Sequence, residues 1–157
     1  MQDGELHWRE TYYVFFPSNR RPKSKAMREA LKQLSNRFVL QNLEEDGEGG
    51  FESILIEAPD DHAALEISYE AGESVIEQSV QLAKQLQSDL DGEQLAELIR
   101  ADARLDIMHF EHVREEDDFG DEEEEILDPG CLLLVVAALA DLTEGLPIDP
   151  ASGAVVL

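Results

Sequence analysis

Trp8 to Phe16 is rich in aromatic residues, which predicts a strand: Tyr12, Val14 and Phe16 fall on one face, and Tyr13 and Phe15 on the other. Both faces are apolar, so the strand is expected to be covered on both sides, with its aromatic residues as core. From Lys23 to Ser35 the period changes. Met27, Ala30, Leu31 and Leu34 recur at i, i+3, i+4 and i+7, the signature of one helical face, and Asn36 is a candidate left-handed stop. Phe38 to Leu43 reads as a second strand. Phe51 to Ala58 and Ala63 to Tyr69 read as a hairpin around Pro59-Asp60-Asp61-His62.

Gly72 opens a helical stretch with Ile76, Val80, Ala83 and Leu90 in spacing. Asp91 followed by Gln94 has the pattern of a capping box, ahead of a short helix with Leu95, Leu98 and Ile99 on its apolar side. Leu105 to Val113 is a fifth, less regular strand. Asp128-Pro129 suits a helix start, and Cys131 to Leu142 is apolar all round, so that helix, Leu134 included, is expected to be buried on most sides. Gly145 and Pro147 stop it, and Leu146–Asp149 with Ala154–Leu157 suggests a terminal hairpin. This order predicts an α+β fold, a mostly antiparallel sheet of about five strands packed by three to four helices. A ferredoxin-like core with additions is one topology that fits. At 157 residues the chain is expected to form one domain, residues 1–157, with a mobile acidic loop at about 115–127.

Composition changes the picture through charge. The formal net charge is −24, from 12 basic and 36 acidic residues. A surface of that sign argues against nucleic acid and anionic membranes as partners. The charges are also unevenly distributed. Residues 1–40 hold eight basic and four acidic side chains, whereas the rest of the chain holds four basic and 32 acidic ones. The start lacks a basic segment followed by an apolar one, and Cys131 is the only cysteine, so the expectation is a cytoplasmic protein without an internal disulfide.

Three constellations carry candidate chemistry. Arg20, Arg21, Lys23, Lys25 and Arg28 follow the first strand and could hold a small anion or nucleotide; the simpler expectation is that they neutralise the fold's own carboxylates. His109, Glu111 and His112 could supply part of a metal site. On a strand His109 and Glu111 share a face while His112 points the other way, and no zinc-type spacing accompanies them. Glu115, Glu116, Asp117, Asp118, Asp121, Glu122, Glu123, Glu124 and Glu125 form a run that cannot bury itself and could meet a basic protein. Cys131 lies at a helix start, where a thiol gains reactivity, but the leucines after it favour an inert buried residue. No nucleophile elbow, phosphate loop or cofactor motif is present in the sequence. The function that asks least of these residues is a non-enzymatic interaction protein whose acidic surface binds a basic partner, in the manner of inhibitors, immunity proteins or nucleic-acid mimics. A metal-binding protein or enzyme and an anion sensor are the alternatives.

Overall fold

The computed structural model describes residues 5–59, 62–113, 130–152 and 154–155. The strands are β1 (Glu5–Phe16), β2 (Val39–Glu45), β3 (Phe51–Ala58), β4 (Ala63–Ala71), β5 (Ala103–Val113), β6 (Leu146–Asp149) and β7 (Ala154–Val155). The helices are α1 (Ser24–Leu34), α2 (Glu73–Leu86), α3 (Gly92–Arg100) and α4 (Gly130–Thr143), with a 3-10 turn at Ser18–Arg20. All seven strands join one antiparallel sheet in the order β2-β3-β4-β5-β1-β6-β7.

The fold is α+β as the periodicities predict. The sheet exceeds the expected five strands because β6 and β7 continue it beyond β1. A ferredoxin-like layout keeps its helices on one face. Here β2 to β5 run as a meander and the helices cover both faces.

The alternation in β1 explains the two layers. Val14 and Phe16 join a core with Met27 and Leu31 of α1, Ile54, Ile56, Leu65, Ile67, Leu105 and Ile107 of the meander, and Leu132, Val135, Val136 and Leu139 of α4. Phe15 points the other way, into a second core with Val75, Ala83, Leu86, Leu90, Leu98, Leu146 and Ile148. A strand apolar on both faces is therefore apolar for two separate cores. Trp8, expected in the core with the other aromatic residues, is instead 58% exposed.

Several helix faces are rotated from their predicted positions. The stripe α2 buries is Val75, Ser79, Ala83 and Leu86, which leaves Ile76 exposed. Ser79 sits inside because its Oγ reaches the carbonyls of Ile76 and Ala101 at 3.0 and 3.3 Å. In α3, Leu98 is buried and Ile99 is exposed. α4 corrects the largest expectation: Leu134 is 55% exposed, while Leu132, Val135, Val136 and Leu139 are fully buried. An all-apolar sequence carries no moment, so only the packing against α1 and the sheet chooses its face.

Terminators follow local chemistry. The Asp91 capping box forms as predicted, Gln94 N–H to Asp91 Oδ1 at 2.8 Å and Asp91 N–H to Gln94 Oε1 at 3.1 Å. Asn36 is not left-handed, since α1 ends on an extended Ser35; the left-handed asparagine is Asn42 (φ 56°), at an irregularity in β2. At the end of α4 the left-handed residue is Glu144 (φ 54°), and Gly145 N–H donates to Ala140 O at 2.9 Å. Gly145 is required for a different reason: a Cβ there would lie 2.7 Å from Phe15 O.

Candidate functional site

The basic segment lies where β1 turns into α1. Pro17 and the 3-10 turn leave the strand, and Ser18 anchors the turn through its N–H and Oγ to Asp102, at 2.6 and 2.9 Å. Arg20 then donates to Glu144 O at 3.1 Å. Arg21 is engaged on every side. Its Nε and Nη2 donate to Phe51 O at 3.1 and 2.9 Å, its Nη1 to Asp46 Oδ2 at 3.0 Å, and its guanidinium lies 4.2 Å from the Tyr69 ring centroid. Lys23 donates to Glu48 O at 3.1 Å. Three of the five candidate anion ligands therefore close the β2–β3 turn and the end of α4. Lys25 and Arg28 stand exposed on α1, and the structure does not gather the five around one point.

The β2–β3 turn is itself built on a carboxylate. Asp46 Oδ1 accepts from the N–H groups of Gly50 and Glu48, both at 2.8 Å. Those bonds, with Arg21 and Lys23 nearby, hold its pKa below the usual carboxylate range despite a smaller opposing desolvation. A carboxylate whose pKa is depressed on folding stabilises the fold above its unfolded value, and that stabilisation is lost as the pH falls through the folded value. The thermal midpoint of Asp46→Asn is therefore expected to lie below the parent's at neutral pH, with the gap closing in the acid range under about pH 4. A gap that stays constant down to pH 2 would show that the turn does not depend on the ionised form.

The histidines of β5 fall on opposite faces, as alternation requires. His109 is 6% exposed and its Nδ1 lies 2.6 Å from Oε2 of Glu10, its cross-strand neighbour. Glu111 shares that face and pairs with Arg9, at the bulge of β1. His112 faces away, its Nε2 2.9 Å from Glu57 Oε1. The three candidate ligands thus belong to separate pairs, and among the described residues no group of three or more His, Cys, Asp or Glu is placed to hold a metal ion. Cys131 is buried at the start of α4. The run 115–125 lies outside the described residues.

One feature was hidden from the sequence. Cross-strand pairing aligns Val39, Glu57, Ala64, Phe110 and Trp8 in a row over five strands, and Gln41, Leu55, Glu66, Met108 and Thr11 in the next. None of these belongs to either of the two packed cores, although Ala64 is fully buried. The helices α2 and α3 cover Phe15, Leu146 and Ile148 on this side of the sheet, and the two rows lie beyond them. Met108 and Phe110 alternate with Ile107 and His109, so their strand reads as irregular, when in fact it is apolar on two faces for two reasons. Elsewhere, Pro17, Ile76, Ile99 and Arg100 line a shallow groove of about 410 Å³ beside the Ser18–Asp102 contact. Among the described residues no helix is long and apolar enough to cross a membrane.

Comparison with known proteins finds no family model, no curated protein and no solved structure that matches the chain.

Proposed function

We propose that this protein is a non-enzymatic interaction module that binds a basic protein through its acidic surface. What supports the reading is the use the fold makes of its own cations. Arg20, Arg21 and Lys23 are tied to Glu144, Phe51, Asp46 and Glu48 within the fold, and Arg104 to Asp106 and Gln78. These internal contacts engage four of only 12 basic side chains, against 36 acidic ones. With a formal net charge of −24, the chain has far more carboxylates than its own cations can neutralise. A surface field of this kind steers an oppositely charged partner and speeds encounter, at a cost in self-repulsion.

The test is a pull-down from the source lysate at about 50 and 300 mM salt, spanning a Debye length of roughly 14 to 6 Å. A captured protein is then identified, purified and followed by stopped flow. The expected result is a basic protein that is held at low salt, released at high salt, and whose association rate falls steeply as salt rises. Capture that is indifferent to salt, or of neutral and acidic proteins alone, would sink the proposal.

A further inference from the structure

We infer that the half of the sheet left uncovered by α2 and α3, centred on Trp8, Phe110 and Met108 and open among the described residues, is the docking face, and that its occupant is a lysine- or arginine-bearing amphipathic helix. The inference rests on the acidic-surface reading above and assigns it a place.

The face is apolar where a solvated antiparallel sheet is expected to be polar. Trp8, Val39 and Leu6 are 58%, 46% and 41% exposed, and all three point to this side: Trp8 and Val39 end one cross-strand row, and Leu6 pairs with His112 beside it. Half-buried Leu55, Met108 and Phe110 fill the middle. Scattered apolar side chains need no explanation, but a contiguous patch marks a contact surface.

The charges around that patch select its occupant. Glu44, Glu57 and Glu66 share the face by register, Glu44 opposite Ser53 and Glu66 between Leu55 and Met108. Glu57 is bonded to His112, and Glu66 forms no ion pair with a described residue. The face's own guanidinium, Arg104, is held by Asp106 and Gln78 at 2.5 Å each and lies over Tyr13. The lysines and arginines of α1 stand on the opposite layer, where Met27 and Leu31 pack. An apolar strip bordered by Glu44 and Glu66, neither of which forms an ion pair with a described residue, fits an apolar stripe flanked by cations. A second copy of this chain would set Glu57 and Glu66 against like charge in a molecule of net charge −24, and an anionic lipid surface meets the same repulsion. The dimensions also agree. Five strands span about 19 Å, the length of about 13 helical residues, and two adjacent rows offer a width close to a helix diameter of about 10 Å.

Trp8 is the only tryptophan, so it reports on this face alone. The full chain is titrated with a labelled 18-residue peptide of leucine and lysine in helical spacing, and in parallel with its leucine–glutamate counterpart. Peptide anisotropy reads binding anywhere; Trp8 emission reads binding here. The expected result is a saturable anisotropy rise with a blue shift of Trp8 for the lysine peptide and neither for the glutamate peptide. Glu66→Lys is expected to weaken binding roughly tenfold with an unchanged melt. Anisotropy rising without any Trp8 response would overturn the inference and leave the acidic-surface reading standing, whereas no binding of the lysine peptide would count against both. Equal binding of the two peptides, or full affinity in Glu66→Lys, would show that charge does not select the occupant. A dimer in sedimentation that blue-shifts Trp8 without peptide and is abolished by Val39→Lys would make a second copy the occupant, and overturn the inference.

Discussion

Leu139→Asp is expected to abolish the cooperative thermal transition, whereas Leu134→Asp, five residues away on the same helix, melts within about 4 °C of the parent. Leu139 is fully buried in the α1–α4–sheet core, between Val135, Val136 and the strands, and Leu134 is 55% exposed. An unpaired carboxylate at Leu139 costs several kcal/mol in desolvation, added to a cavity where the larger side chain was. A domain of this size has about 5–15 kcal/mol in total, and this chain already works against its own charge, so the loss is comparable with the whole. At Leu134 the new carboxylate stays in water, and the cost is mainly the helix propensity of Asp, about 0.5 kcal/mol. Circular dichroism melts of the two variants decide the matter. Similar melts would mean that α4 packs by another face.

That pair of variants also marks where the sequence stops being informative. Boundaries set by local chemistry were legible: the Asp91–Gln94 box, the Phe51–Ala58 and Ala63 hairpin, and the change of period that starts α1 all appear where their signals fall. Faces set by an amphipathic pattern were legible too when the pattern was strong, as for Met27 and Leu31. α4 was not, because fourteen nearly uniform apolar residues contain no preferred direction. Ala83 in α2 and Leu90 just beyond it are buried as their spacing predicts, but Val75 and Ser79 take the places expected of Ile76 and Val80, because a buried Ser79 that bonds to Ile76 and Ala101 looks polar in a sequence. The same logic applies to the candidate site. The histidines were separated correctly by alternation alone. The Trp8–Phe110 row was not foreseen, since it is made by register across five strands, which no local pattern encodes.

Gly145→Ala is expected to lower the midpoint by about 3–10 °C, from a cost of about 1–3 kcal/mol. The cost arises from space and not from backbone conformation, because the left-handed position belongs to Glu144. A Cβ at Gly145 would lie 2.7 Å from Phe15 O, 2.8 Å from Thr143 Oγ1 and 2.8 Å from Val14 Cγ1. None of the three can yield cheaply. Phe15 is in the middle of the sheet, paired to Arg104 on one side and Leu146 on the other. Thr143 is fully buried and its hydroxyl donates to Leu139 O at 2.8 Å. Val14 is fully buried in the main core. The strain must therefore open the β1–β6 pairing or lift the last turn of α4, and β6 carries Leu146 and Ile148 of the second core. Two controls isolate the cause. Gly47→Ala, with nothing within 4 Å of the added carbon, is expected to leave the midpoint unchanged. Glu144→Gly removes a side chain from a left-handed position and gains up to about 1 kcal/mol, since its exposed contact with Arg20 at 3.9 Å contributes little. If Gly145→Ala melts with the parent, β6 does not lie against β1 as closely as described, and the second core loses its edge.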